Sequence, residues 1–166
     1  LVNDLLILTR TDSGAFSLNS AEFNLEELVL ERCKSFQPLA RHKGVTFQVS
    51  RDQSANGITF GDQARTAQVV DNLLDNALRY APQDSEISIV IRSENDQIQC
   101  SITDQGPGVP ADQLELIFER FYRVEKSRDR ESGGAGLGLA IARSLIEAQG
   151  GSIKAISSRG SGTTFT

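Results

Sequence analysis

Apolar residues recur at helical spacing at the start of the chain, where Leu1, Val2, Leu5, Leu6 and Leu8 form a stripe that stops at Thr11-Asp12-Ser13-Gly14. The pattern predicts the end of a helix. Asn24 with Glu27 three residues on has the form of a capping box, and Leu25, Leu28, Val29, Cys33 and Phe36 then line one helix face toward Pro38 and Gly44. The segment from about Ala15 to Phe23 reads as linker. Period-two alternation follows at Val45, Phe47 and Val49, at Ile87, Ile89 and Ile91, and at Ile98, Cys100 and Ile102. Glu94-Asn95-Asp96 joins the last two runs into an antiparallel hairpin. Asp62 can cap a long helix reaching Tyr80, and further helices are expected from Pro110 to Phe118 and from Leu137 to Gln149. Ile153, Ala155 and Ser157 predict a strand whose partner is Thr163 to Thr166, while Arg123 to Ser132 has no apolar period and reads as a mobile loop. Such an order predicts an α/β (α+β) domain, largely hairpin-paired, with its helices on one face of the sheet.

Composition narrows the partners. With 166 residues, 39% hydrophobic and 23% charged, the chain suffices for one domain and a short appendage. It begins at Leu1, has no Met and stops inside a strand-like run, so it is expected to be a piece of a longer protein. Seventeen Lys and Arg against 22 Asp and Glu give a net charge of −5, which argues against a general nucleic-acid binder or an anionic membrane surface as partner. Any phosphate site must be local. Cys33 and Cys100 lack neighbours at metal-ligand spacing, so reduced thiols in a cytoplasmic setting are expected. No run approaches the roughly 18 apolar residues of a membrane span, and no signal peptide is visible.

Three stretches carry chemistry. On the helix beginning after Asp62, Val69, Val70, Leu73, Leu74, Ala77 and Leu78 form the buried stripe, and Asn72, Asn76 and Arg79 share a polar strip with Tyr80 at its edge. A neutral Asn carbonyl can ligate Mg²⁺ without repelling the phosphates that share the ion. The plainer alternative is a solvated helix face, but two poor helix formers one turn apart bring no evident structural return. Asp104-Gln105-Gly106-Pro107-Gly108-Val109 follows directly on a strand, so its carboxylate can accept from an adenine amino group where a guanine carbonyl would be refused; as a motif it could equally be a simple turn. Gly133-Gly134-Ala135-Gly136-Leu137-Gly138-Leu139 opens a helix and offers unobstructed N–H groups to an anion, yet it matches neither a Walker loop nor a dinucleotide fingerprint. Arg120, Arg123, Lys126, Arg128 and Arg130 form the one locally basic stretch, mostly solvated charges of which one or two can close on a phosphate tail.

In order, Asn72 to Tyr80 resembles the N box, Asp104 to Gly108 the G1 box, Phe118 to Arg123 the F box and Gly134 to Leu139 the G2 box of sensor histidine kinases, and Gly160 to Phe165 resembles their final glycine box. The resemblance runs from about Asn24 to the end, and residues 1–13 resemble the end of the dimerisation helix that precedes this domain. It implies a domain over 24–166 after a linker at 14–23, folded as a two-layer Bergerat sandwich shared with gyrase, Hsp90 and MutL ATPases. It implies ATP and Mg²⁺ as cofactors, with Asn76 the main metal ligand, Asn72 assisting and Asp104 reading adenine. Arg79, where the family commonly has Lys, would serve the phosphates, and Tyr80 and Tyr122 would lie against the nucleotide. Gly106, Gly108 and Val109 would line the base pocket, and Gly134, Gly136, Leu137 and Gly138 would hold phosphates beneath a lid at about 121–135. Arg123 would spread charge as the γ-phosphoryl leaves. The implied partners are the protein's own dimerisation and His-phosphotransfer domain and a response regulator receiver, in the cytoplasmic part of a membrane-bound bacterial sensor. His42, followed by Lys43-Gly44-Val45 at a helix end, lacks the acidic residue and Pro of a phospho-acceptor, so the acceptor His is expected on another domain. A hydrolysing ATPase of the gyrase type would place Glu where Asn72 stands, and a nucleotide-free docking module would not need the whole set of boxes.

Overall fold

The computed structural model describes residues 2–13, 16–52, 56–94, 97–124 and 135–166. A helix, α1 (Val2–Asp12), precedes a strand, β1 (Ala21–Asn24), which runs directly into α2 (Leu25–His42). There follow β2 (Thr46–Arg51), β3 (Ile58–Gly61), α3 (Gln63–Tyr80), the hairpin of β4 (Glu86–Glu94) and β5 (Gln97–Asp104), then α4 (Gly138–Ala148), β6 (Ala155–Ser157) and β7 (Thr163–Phe165). Five strands build an open mixed sheet in the order β2-β4-β5-β7-β6, with β2 parallel to β4 and the other neighbours antiparallel. β1 and β3 pair as a separate antiparallel ribbon.

The core lies between the sheet and α2, α3 and α4. Every second residue of β4, Ile87, Ile89 and Ile91, is fully buried, as alternation demands of a strand with one covered face. Against them pack the predicted α3 stripe, Val69, Val70, Leu73, Leu74, Ala77 and Leu78, all buried, together with Val29 of α2 and Ala142 and Leu145 of α4. Cys33 and Cys100 are free thiols, and burial pushes them up to about 11 and about 12, so both stay protonated at neutral pH. No helix among the described residues is long and apolar enough to cross a membrane.

Caps and clamps set how the helices lie. The Asn24 Oδ1 accepts from the Glu26 and Glu27 N–H groups at 3.0 and 3.2 Å, as its cap position predicts. Asp62 accepts from the Arg65 N–H at 3.1 Å and, through its other oxygen, from the Asn19 N–H at 2.9 Å, which ties the preceding segment to the start of α3. The Arg32 guanidinium grips Asp71 at 2.6 and 3.0 Å and joins α2 to α3. At the far end of α3, Lys43 Nζ donates to the carbonyls of Leu78 at 2.7 Å and Arg79 at 2.9 Å. These are last-turn carbonyls without helical partners, and a cation there also meets the negative end of the helix dipole. Lys43→Met is therefore expected to lower stability by about 1–2 kcal/mol in denaturant titration. Lys43→Arg should restore most of it, and equal loss in both variants would show that the cap is not the source. α1 docks on α4 through the buried Leu8, and its Asp12 carboxylate takes both bonds of the Arg120 Nη2 at 2.6 and 2.7 Å.

Two parts of the architecture differ from the reading of the sequence. The helix expected from Pro110 to Phe118 is a pair of 3₁₀ turns, Ala111–Gln113 and Leu116–Phe118. Its buried residues, Ile117 and Phe118, are adjacent, so no stripe at helical spacing holds a regular helix to the core. β1 takes up the end of the segment read as linker together with the capping residue Asn24, and β3 lies where the sequence reading has no element. β1 buries a single apolar residue, Phe23, and β3 turns its two, Ile58 and Phe60, outward, so neither carries the buried apolar row of the longer strands.

Candidate functional site

A cavity of about 670 Å³ opens between α3, the turn after β5, the 3₁₀ segment, the start of α4 and the β6–β7 hairpin. That volume suits a nucleotide-sized ligand. The polar face of α3 supplies one wall, because the buried stripe turns Asn72, Asn76, Arg79 and Tyr80 together toward the opening. Arg79 Nη2 lies 3.0 Å from Asp75 Oδ2, one turn back, so its guanidinium is held at the rim. The side-chain Nδ2 of Asn72 is buried with no hydrogen-bond partner, a donor left for an acceptor that a ligand would bring.

Asp104 ends β5 at the opposite wall and is 2% exposed. Its Oδ1 accepts from the Gly106 N–H at 2.7 Å, and the Thr163 backbone lies opposite it on β7. Burial nevertheless dominates and raises its carboxyl above the ordinary range, the backbone donors opposing it. Beside it, Pro107, Gly108, Val109 and Pro110 complete an apolar stretch of wall with Ile117 and Phe165. Tyr122 closes the side, its hydroxyl donating to Gln113 Oε1 at 2.9 Å, and Arg123, Val124 and Ala135 complete the rim. Gly136 and Gly138 line the cavity where α4 begins. Gly136 has a φ of 71°, and its carbonyl accepts from the Phe121 N–H at 2.8 Å, so a Cβ would press on the Phe121 backbone. Phe121 itself holds a φ of 63°, a conformation rare for a side chain of its size.

The cavity thus gathers Asn72, Asn76, Arg79, Tyr80, Asp104, Gly108, Val109, Tyr122, Arg123, Gly136 and Gly138 from the residues singled out in the sequence. Gly106 and Leu137 are not on its surface: Gly106 supports Asp104 through its backbone, and Leu137 is 2% exposed, in the core. Gly134, the basic residues Lys126, Arg128 and Arg130, and most of the expected lid lie outside the described residues. His42 is exposed in the last turn of α2, away from the cavity. Gln113, Arg159, Thr163 and Phe165 were missed as lining residues. Thr163 enters through the β5–β7 register, which sets it directly opposite Asp104 and which no local pattern of residues announces. Among the described residues no group of three His, Cys, Asp or Glu could hold a metal ion. The amide oxygens of Asn72 and Asn76 suit a hard divalent cation only as part of a set completed by ligand oxygens.

Residues 61–166 match the family model described as "Histidine kinase-, DNA gyrase B-, and HSP90-like ATPase", and the chain belongs to that family. It is 38% identical over 177 aligned residues to the sensor histidine kinase WalK of Bacillus subtilis, covering all of this chain and 27% of WalK. Among solved structures, full-length ShkA in complex with AMPPNP matches with a TM-score of 0.85 and 28% identity over 99% of this chain and 34% of that one. The catalytic domain of histidine kinase ThkA matches with a TM-score of 0.76 and 29% identity over 90% of this chain and 93% of that domain. The chain therefore spans about a quarter of the curated sensor kinase WalK and most of an isolated catalytic domain.

Proposed function

We propose that this chain is the ATP-binding catalytic region of a bacterial two-component sensor histidine kinase, which passes the γ-phosphoryl group of ATP to a histidine on the protein's own dimerisation domain. The observation that carries the reading is the polarity of the cavity: a buried carboxylate, Asp104, at one wall and the Asn72, Asn76 and Arg79 face at the other. Asp104 would accept from the adenine amino group, with Gly108 and Val109 against the base and Tyr80 and Tyr122 beside the nucleotide. The phosphates would lie between the α3 face and the backbone of Gly136 and Gly138 at the head of α4. Mg²⁺, held by Asn76 with Asn72, would neutralise phosphate charge. Arg123, on the rim, would stabilise charge on the departing phosphoryl group. The orphaned Nδ2 of Asn72 supports a ligand rich in acceptors at this end.

In this reading residues 1–13 are the end of the dimerisation helix, 14–23 the linker and 24–166 the catalytic domain, the cytoplasmic part of a membrane-bound sensor that also serves a response regulator. A neutral Asn72 in place of a carboxylate base disfavours hydrolysis as the main reaction. Mixed with labelled ATP, Mg²⁺ and a separate His-bearing dimerisation domain, the chain is expected to place acid-labile phosphate on that partner and none on itself. Release of free phosphate with no label on the partner would overturn the kinase reading in favour of an ATPase.

A further inference from the structure

We propose that Ser157 is a positioning residue for base selection, which sets the direction of the Thr163 hydroxyl so that Thr163 and Asp104 face the cavity as two acceptors. The inference rests on the ATP reading above and assigns to Ser157, which is not among the residues lining the cavity, a part in choosing the base.

Ser157 Oγ lies 2.5 Å from the Gly162 carbonyl oxygen, 2.8 Å from the Val109 nitrogen and 3.2 Å from Thr163 Oγ1. A carbonyl can only accept and a backbone N–H can only donate, so the single Ser157 proton goes to Gly162 and one lone pair takes the Val109 N–H. What remains on Ser157 is an acceptor. Between the two hydroxyls the donor must therefore be Thr163, which leaves its own lone pairs for other partners. Thr163 is 6% exposed, lines the cavity and stands opposite Asp104 in the β5–β7 pairing. Without Ser157 its hydroxyl would be free to turn and present a proton there instead. An amino group such as that of adenine is matched by two acceptors, whereas the carbonyl that guanine carries at the same place is refused by both.

The surrounding backbone shows that Ser157 sits in a clasp. The Gly162 N–H donates to the Gly106 carbonyl at 3.1 Å and the Gly160 N–H to the Pro107 carbonyl at 2.7 Å, which lays the turn after β5 along the β6–β7 hairpin. Gly108, at a φ of 74°, approaches the Ser158 carbonyl so closely that a Cβ would overlap it. Ser157 is the side chain that joins the two loops, and the residue it holds from the first loop, Val109, is part of the base wall.

The test is calorimetric titration of the 166-residue chain with ATP and GTP in the presence of Mg²⁺, alongside thermal unfolding. Ser157→Ala is expected to weaken ATP binding about tenfold and to shrink the preference for ATP over GTP by a similar factor. Ser157→Thr, which keeps the hydroxyl, should return both to within about twofold of the parent. Thr163→Val, which keeps the shape but removes the acceptor, should lose the same preference with Ser157 untouched. The double variant should lose no more than either single one, because both act through one hydroxyl. Should Ser157→Ala not fold, Ser157→Thr and Thr163→Val still test the proposal, since a changed preference in the first or an unchanged one in the second overturns it. A residue that only braces the hairpin would lower the unfolding midpoint and the affinity for both nucleotides together. Unchanged ATP to GTP preference in Ser157→Ala, or in Thr163→Val, overturns the proposal. A parent chain that binds no ATP overturns the nucleotide reading itself, a separate outcome seen before any variant is made.

Discussion

Asp104→Asn is expected to weaken ATP binding by about 100-fold while leaving the chain folded. The carboxylate is buried at the wall of the cavity, where a charge-assisted hydrogen bond to a ligand N–H contributes roughly 1.5–3 kcal/mol. The amide replaces one of its two acceptors by a donor that meets the arriving N–H head on. Stability should change little, since the neutral side chain escapes the burial cost that raises the native carboxyl. The same raised value fixes a pH dependence whose two halves have opposite sign. Between the ordinary carboxyl range and the raised native value, the folded state binds more protons than the unfolded state, so this group favours folding at low pH and loses that contribution as pH rises through the native value. ATP binding needs the ionised form and gains over that same interval. Thermal melts and titrations across the acid range should show both trends in the difference between the parent and Asp104→Asn. A loss of equal size for GTP and ATP would remove Asp104 from base recognition.

Asn76→Ala is expected to abolish the Mg²⁺-dependent part of ATP affinity and, at the same time, to make the domain slightly more stable. The two effects come from one fact. Asn76 sits in the interior of α3, half-buried, where Ala is the better helix former by roughly half a kcal/mol. Whatever keeps an amide there must lie outside the helix, and the cavity wall is what it faces. Titrations with Mg²⁺ and with a chelator separate the parts: the parent should bind ATP at least about tenfold more tightly with the metal, and the variant equally in both conditions. A variant that keeps the metal-dependent gain would move the ion away from Asn76.

Much of the site could be read before any fold was known, because its parts lie on regular elements. The α3 stripe has strict helical spacing, so the residues left over, Asn72, Asn76, Arg79 and Tyr80, had to share the other face. Asp104 was legible as the last residue of an alternating run followed by Gly and Pro. What escaped depends on pairings between distant segments. Thr163 becomes a neighbour of Asp104 only through the β5–β7 register, and Ser157 meets Val109 only because two loops are clasped together. Gln113 enters through its bond from Tyr122, on a segment whose 3₁₀ form replaced the expected helix. β1 and β3 stayed hidden because β1 buries a single apolar residue, Phe23, and β3 turns both of its own, Ile58 and Phe60, outward.

The parallel pairing of β2 with β4 has a consequence for how the site comes into being. Parallel neighbours cannot be joined by a tight turn, and here the chain between them carries β3 and the whole of α3. The helix bearing Asn72 and Asn76 is thus part of the crossover itself, and the strand it leads into, β4, is hydrogen-bonded to β5, which ends at Asp104. Both walls of the cavity are therefore joined through adjacent strands of one sheet. A ligand that needs both walls in place is expected to stabilise helix and sheet together, so that its addition raises one shared unfolding transition.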